Sequence, residues 1–266
     1  MTSATPLAPA LFVSHGAPTL VLRDIPARRF LASLAATLPR PRAVLAVTAH
    51  WCTEAPVLGG AEHPETIHDF GGFPDELYAM TYPAPGAPDI AARGLALLRE
   101  AGIAARTDAA RGLDHGTWIP ARLLYPEADI PIAQLSVQPA QDPAHHYRVG
   151  AELRPLREAG VLVVASGTFT HNLRAAFQVM RSGHDDVELP FTAPFVDWID
   201  AAVTASATED LLAYRVRAPH ARDNHPTDEH FLPFFVALGA GSEGHRGRRI
   251  HHSTDYGMAM DAYAFD

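Results

Sequence analysis

The 266-residue sequence contains no lysine, and all 21 of its basic side chains are arginines. Schiff-base chemistry and other catalysis by a lysine amine are therefore excluded. Cysteine is nearly absent as well, since Cys52 is the only one. A single cysteine excludes an internal disulfide and a cysteine-rich zinc site, and it is usual in proteins of a reducing compartment.

A basic surface and long apolar runs are also missing. The formal net charge of -9 at pH 7 argues against a general nucleic-acid or anionic-membrane surface, because such surfaces need basic patches. Nowhere do about 18 apolar residues follow one another, and no basic region precedes a long apolar stretch at the N-terminus. We therefore expect a cytoplasmic protein that acts on a small molecule; its oligomeric state is left open.

Histidine, in contrast, is abundant, with 15 residues. Three of them end apolar segments that are typical of buried strands: His15 in Ala10–Pro18, His50 in Ala43–Trp51 and His171 in Val161–Asn172. In open α/β sheets the ligand crevice lies outside the carboxyl ends of the strands. Because imidazole is the commonest metal-donating side chain, this pattern predicts a cleft that holds a metal.

Two further histidines, His115 and His230, lie beside structure-breaking residues in predicted loops or at the start of a predicted helix. None of these five histidines belongs to an HExxH motif, so local spacing alone does not identify a metal site. The prediction rests on position in the fold. Other histidines are expected to be ordinary surface residues, namely His145, His146, His184, His245, His251 and His252.

Strand-like and helix-like segments alternate along the chain. Besides the three segments above, we predict strands at Pro56–Gly59, Ala104–Asp108 and Ile132–Ser136. Helical spacing predicts helices at Pro26–Leu38, Pro88–Ala101, Pro143–Ala159, Pro190–Ala205 and Glu229–Leu238. No linker divides the chain, so we expect a single α/β domain over residues 1–266, with a mostly parallel or mixed sheet flanked by helices.

The segment Glu65–Pro85 is rich in aromatic residues, glycine and proline and has no sustained period. A compact domain rarely keeps so long an irregular loop unless the loop is a lid or a pocket wall. We therefore expect its residues His68, Asp69, Phe70 and Phe73 to line a substrate site. The alternative is a surface loop that packs only on itself.

Seven short motifs, spread from residue 14 to residue 233, are SHGAP, TAHW, TIHDFGGFP, YPAPG, LDHGTW, SGTFTHN and PTDEHFLP. In this order they resemble the bacterial 4,5-DOPA extradiol dioxygenase-like proteins of the class III extradiol ring-cleaving dioxygenase superfamily, the LigB type. The resemblance implies one α/β domain with a central mixed sheet and one mononuclear non-haem metal site.

The same resemblance implies roles for individual residues. His15 and His50 are similar to two metal ligands, and His230 to the third, with Glu229 as the alternative because neighbouring helical residues point about 100° apart and should not both bind. His115 resembles a histidine that contacts substrate and oxygen. His171 resembles the acid/base histidine and becomes a further ligand when zinc is bound without substrate.

The implied activity is extradiol, or meta, cleavage of a catechol such as DOPA by O₂. The implied cofactor is one divalent metal ion per chain, Fe(II) for activity and Zn(II) in the protein as isolated. Arg122 and Arg174 are candidate clamps for a substrate carboxylate. Two other functions remain open: a zinc-dependent hydrolase with His171 as base, and a chelatase-like metal-handling protein.

Overall fold

The computed structural model describes residues 7–183, 187–242 and 247–266. Its strands are β1 (Ala10–Ser14), β2 (Ala43–Cys52), β3 (Val57–Gly59), β4 (Arg106–Asp108), β5 (Ile132–Val137), β6 (Val161–Gly167), β7 (Gly247–His251), β8 (Thr254–Asp255), β9 (Met258–Ala259) and β10 (Ala262–Phe265). Its helices are α1 (Pro26–Leu34), α2 (Asp75–Ala79), α3 (Pro88–Glu100), α4 (His115–Leu124), α5 (Pro143–Leu153), α6 (Pro155–Glu158), α7 (Leu173–Ser182), α8 (Thr192–Thr204), α9 (Thr208–Leu212), α10 (Tyr214–Arg217), α11 (Ala221–Asn224) and α12 (Leu232–Ala240).

Eight of the described strands form one mixed sheet, in the order β4-β3-β5-β2-β6-β1-β10-β7. Its four central strands, β5, β2, β6 and β1, are mutually parallel. Strand β3 joins β5 antiparallel on one side, and β10 joins β1 antiparallel on the other. The carboxyl ends of β1, β2 and β6 therefore lie side by side at one edge of the sheet, and the predicted α/β fold with a mixed sheet is confirmed.

Helices cover both faces of the sheet, which explains why its central strands are almost continuously apolar. Along β2, Leu45 and Val47 face a core that contains α3, α5, α8 and α12. The alternate residues Val44 and Ala46 face the second core, which contains α1 and α4. None of the described helices is long and apolar enough to cross a membrane.

Several predicted element bounds are wrong, for local physical reasons. The predicted helix Pro143–Ala159 is split into α5 and α6 at Pro155, which has no N–H to continue the helix. The LDHGTW segment is not a loop: Asp114 accepts a hydrogen bond from the Thr117 N–H and caps α4, which begins at His115. The last helix begins at Leu232 and not at Glu229. The domain's extension over residues 1–6 stays a prediction, because those residues lie outside the described ones.

Only some of the histidines that we expected at the surface are exposed. His252 is exposed, and His145 and His251 are partly buried. The prediction for His146 is wrong, because its ring is buried between the N–H of Gln138 and the carbonyl of Asp142. The remaining two, His184 and His245, lie outside the described residues.

Candidate metal and substrate site

Five histidines from separate segments converge at the carboxyl edge of the central strands. They are His15 directly after β1, His50 near the end of β2, His115 at the start of α4, His171 between β6 and α7, and His230 just before α12. Their ring centroids form a continuous cluster, with 4.9 Å between His15 and His50, 3.8 Å between His50 and His115, and 4.9 Å between His50 and His230. The structure thus brings together all five histidines singled out in the sequence.

Two glycines make this close packing possible. A β-carbon on Gly116 would lie 2.9 Å from Cδ2 of His50 and 3.3 Å from Cε1 of His15. A β-carbon on Gly167 would lie 2.0 Å from the carbonyl oxygen of His230. The start of α4 and the end of β6 can therefore approach the histidines only because these positions carry no side chain.

Three imidazole nitrogens point at one another at the centre of the cluster. The Nε2 atoms of His15 and His50 are 2.9 Å apart, and those of His50 and His230 are 3.3 Å apart. His15 is 1% exposed and His230 is 6% exposed. Nitrogens that converge in this way have the arrangement of a metal-ligand set.

The opposite ring nitrogens are held by polar neighbours. Nδ1 of His15 is 2.9 Å from Oγ of Ser166, and Nδ1 of His230 is 2.9 Å from Oε1 of Glu229. Nδ1 of His50 is 3.6 Å from Oδ2 of Asp69. A partner at Nδ1 orients a ligating imidazole and directs the lone pair of Nε2 towards the metal. These contacts support His230 as a ligand and Glu229 as the group that orients it.

The surroundings favour the neutral form of His15, His50 and His171. Burial, with smaller effects from the neighbouring histidines, lowers the pKa of His15 well below its usual value. Burial and the nearby His115 lower the pKa of His50 to about 2, and burial together with His230 lowers the pKa of His171 to about 2. Neutral imidazoles offer their lone pairs to a metal, so the residues present fit a divalent transition metal.

His115 is held differently from the three converging histidines. Oδ1 of Asp69 accepts a hydrogen bond from the backbone N–H of His115 at 2.9 Å and lies 3.0 Å from its ring Nδ1. The carboxylate remains ionised: burial raises its pKa, but the hydrogen bonds and charge interactions with His115, together with His50, outweigh burial and lower the pKa of Asp69 to about 2. Asp69, which the sequence predicted in the pocket wall, thus supports His115 and His50 from behind.

His171 stacks on His230, with ring centroids 3.4 Å apart and planes 14° apart. Its backbone N–H donates to the carbonyl of Asn224 at 2.8 Å, and the following residue, Asn172, caps α7. Its Nδ1 is 3.9 Å from Oε1 of Glu229. His171 therefore lies beside the converging nitrogens, within the same buried cluster.

A cavity of about 520 Å³ opens directly over the cluster. Of the five histidines, all but His15 line it. The loop residues Phe70 and Phe73 form one wall, with their ring centroids 5.5 Å apart. The cavity has the size and the aromatic lining of a site for one small organic molecule.

Besides Asp69, three residues that we predicted at the substrate site do not line this cavity. His68 lies behind Phe70, with its Nε2 2.9 Å from the carbonyl oxygen of Met80. Arg122 is partly buried and donates to the carbonyl of Thr81. Arg174 is exposed on α7 and is not among the lining residues either. The geometry therefore gives none of the three a direct contact with a bound molecule.

Comparison with known proteins agrees with this geometry. Residues 9–265 match the family described as the catalytic LigB subunit of aromatic ring-opening dioxygenase. The chain belongs to the LigB family. A Beta vulgaris relative named 4,5-DOPA dioxygenase extradiol is 40% identical over 259 residues, which are 96% of this chain and 95% of that protein.

Bacterial and fungal proteins show the same likeness to this LigB-family chain. An Escherichia coli K12 protein, also named 4,5-DOPA dioxygenase extradiol, is 40% identical over 87% of this chain and 84% of its own length. Dioxygenase tasH of Hapsidospora irregularis is 37% identical over 97% of this chain and 85% of its own length. The crystal structure of an uncharacterised Escherichia coli K12 protein superposes with a TM-score of 0.79 at 31% identity, covering 97% of this chain and all of that one.

LigB dioxygenases use a mononuclear metal, and the buried histidines of this LigB-family chain can hold one. Sequence reasoning missed the opposite wall of the cavity, which consists of α7 and the segment around Tyr256 and Met258. The apolar residues of α7 recur at helical spacing, so the helix was detectable. Nothing local in the sequence indicates that its apolar face borders a cavity.

Proposed function

We propose that the protein is an extradiol ring-cleaving dioxygenase, which inserts both atoms of O₂ into a catechol. The metal would be a single divalent ion held by His15, His50 and His230, Fe(II) in the active protein and Zn(II) in the protein as isolated. The family assignment supports an aromatic ring-opening reaction. The observation that carries the proposal is the convergence of three imidazole Nε2 atoms at the floor of a cavity with an aromatic wall.

Bound Fe(II) with open coordination positions would supply one centre at which a catechol and O₂ can meet. The protein's own residues must then orient the ring and move protons. His171 lines the cavity, and we assign to its ring the acceptance of a proton from a catechol hydroxyl. The same ring can later return that proton.

His115 has a different role from that of His171. Oδ1 of Asp69 lies 3.0 Å from its Nδ1, which leaves its Nε2 for a bound molecule. Once Nε2 carries a proton, it can donate a hydrogen bond to negative charge that develops on a substrate oxygen. Phe70 packs edge-on against His115, with ring centroids 5.6 Å apart, and helps to exclude water from this position.

Oxygen consumption tests the proposal against a zinc hydrolase or a metal-handling protein. The metal-free protein is loaded anaerobically with Fe(II) or with Zn(II), and O₂ uptake is followed with an electrode after a catechol is added in air. We expect uptake and a new visible absorbance from the Fe(II) protein and neither from the Zn(II) protein. A fully iron-loaded protein that consumes no O₂ with any catechol would contradict the proposed function.

A further inference from the structure

One face of α7 is apolar and borders the cavity. Leu173, Ala176, Phe177 and Met180 follow the spacing i, i+3, i+4 and i+7, and all four line the cavity. Their positions on one side of a helix place them opposite Phe70 and Phe73, across the space above the histidines. Together these residues give the cavity an apolar lining beside the candidate metal centre.

This face of α7 is not covered by the rest of the described protein. Leu173 is 49% exposed, Phe177 is 50% exposed and Met180 is 40% exposed. Large apolar side chains that stay partly exposed at the rim of a cavity mark a surface that a ligand covers. The histidines at the floor of the cavity would bind the hydroxyl groups of a catechol. They give no reason for an apolar wall beside them.

The cavity also lacks groups that would bind an ionised substituent. Within residues 7–183, 187–242 and 247–266, no arginine, aspartate or glutamate lines it. The two arginines of α7, Arg174 and Arg181, are exposed and do not line it. A carboxylate at this wall would find no arginine to pair with, and it would hinder an apolar group from covering the exposed side chains.

We infer that the substrate is a catechol that carries an uncharged apolar substituent, alkyl or aryl, and that this substituent lies between α7 and Phe70–Phe73. The inference rests on the proposed function and specifies its substrate class. An amino-acid side chain, such as that of DOPA, would fit the same space poorly because both of its charges would face apolar groups.

Three catechols that differ mainly in one substituent test the inference. They are 4-butylcatechol, 3-(3,4-dihydroxyphenyl)propanamide and 3-(3,4-dihydroxyphenyl)propanoate, which are similar in length but respectively apolar, neutral polar and anionic. Binding to the Zn(II)-loaded protein is measured by calorimetry without turnover, and kcat/KM is measured on the Fe(II)-loaded protein. We expect the butyl compound to bind at least about tenfold more tightly than the propanoate, since each buried methylene favours it and the carboxylate has no partner.

A charge placed on the wall should change this preference. Phe177→Arg introduces a cation at a half-exposed position, so we expect the ratio of affinities, butyl over propanoate, to fall at least about tenfold. Val216→Arg is the matched control, because Val216 is 89% exposed on α10 and does not line the cavity. Met180→Arg provides a second substitution of the same kind should Phe177→Arg unfold, which thermal melting would show.

The outcomes separate the inference from the proposed function. If the parent protein binds and cleaves the propanoate as well as it does the butyl compound, the inference is overturned. The dioxygenase proposal would still stand. An unchanged preference in folded Phe177→Arg and Met180→Arg would also overturn it. Failure of all three catechols to bind the Zn(II) protein or to be cleaved by the Fe(II) protein would contradict the proposed function, and the inference with it.

Discussion

Glu229 and His230 are neighbours in sequence, yet the structure orients them differently. His230 points its Nε2 at His50, whereas Glu229 holds the far side of the His230 ring. The ionised state of Glu229 is favoured there: burial raises its pKa, but the interactions with His230, the backbone and Thr227 together outweigh burial and lower the pKa of Glu229 to about 2. We propose from this arrangement that the histidine binds the metal and that the carboxylate orients it.

Substitution of these two residues separates the roles. We predict that the metal content of His230→Ala falls well below one ion per chain. Glu229→Gln should still bind one ion per chain, with roughly 10–100-fold lower affinity. Elemental analysis and metal titration measure the two effects. Because a metal that binds only the folded state stabilises it, Fe(II) or Zn(II) should raise the melting temperature of Glu229→Gln more than that of His230→Ala. The reverse pattern would make Glu229 the ligand.

His115 and His171 lie beside the converging nitrogens and have partners of their own, Asp69 and the Asn224 carbonyl. We predict that His115→Ala and His171→Ala keep the fold and bind metal, yet lose roughly 10²–10⁴-fold in kcat. Circular dichroism and metal content serve as controls for the rate measurement. Turnover of catechols at the parent rate by both variants would disprove the proposed proton chemistry.

At the scale of elements, the loop that carries Phe70 and Phe73 is tied to the site at one end by the bonds from Asp69 to His115. We predict that Phe73→Ala weakens substrate binding by roughly 1–3 kcal/mol, because one ring no longer packs on the catechol. Metal content should be unchanged. A Michaelis series with metal analysis in parallel is the measurement, and an unchanged KM for every catechol tried would place the loop outside the site.

Helix α5 is joined to the end of β5 by His146. Its neutral ring accepts from the N–H of Gln138 at 3.1 Å and lies 2.9 Å from the Asp142 carbonyl, and burial lowers its pKa to about 4. In the unfolded chain His146 takes up a proton near pH 6.5, whereas in the folded protein it does so only near pH 4. The free energy of unfolding should therefore decrease as the pH falls from 6.5 towards 4, and His146 should cause no further decrease below pH 4. The predicted total decrease in the free energy of unfolding is about 3 kcal/mol, from roughly 1.36 kcal/mol per unit of pKa difference.

Metal-free protein and its His146→Gln variant, unfolded in urea from pH 7 to pH 4, measure this contribution. We expect the stability advantage of the parent over His146→Gln to shrink as the pH falls through this range. His63→Gln is the matched control, because His63 is exposed. An advantage that stays constant with pH would show that the proton on His146 does not affect folding.

The sequence predicts some elements well because their burial is simple. Strands β2 and β6 are buried on both faces and are therefore nearly continuous apolar runs. In contrast, β7 is only partly buried, and its residues Gly247–His251 carry arginine and histidine with no apolar alternation. His146 was misjudged for a related reason: its ring is buried between the Gln138 N–H and the Asp142 carbonyl, which no pattern in PAHHYRVG reveals.

For the whole molecule, sequence alone predicts that several strands end on histidine at one edge of a sheet. It does not predict which nitrogens meet, because that depends on the pairing of β1 with β6 and of β6 with β2. Nor does it predict that β10 returns from the end of the chain to pair with β1. The site histidines were identifiable one by one, whereas their common cavity with α7 required the fold.

Ring opening by both atoms of O₂ is the central claim, and isotope labelling tests it most directly. The Fe(II)-loaded protein is supplied with a catechol under isotopically labelled dioxygen, and the product is analysed by mass spectrometry. The account predicts a ring-opened product that carries both labelled oxygen atoms. A product that carries no label, or oxygen drawn only from water, would contradict it.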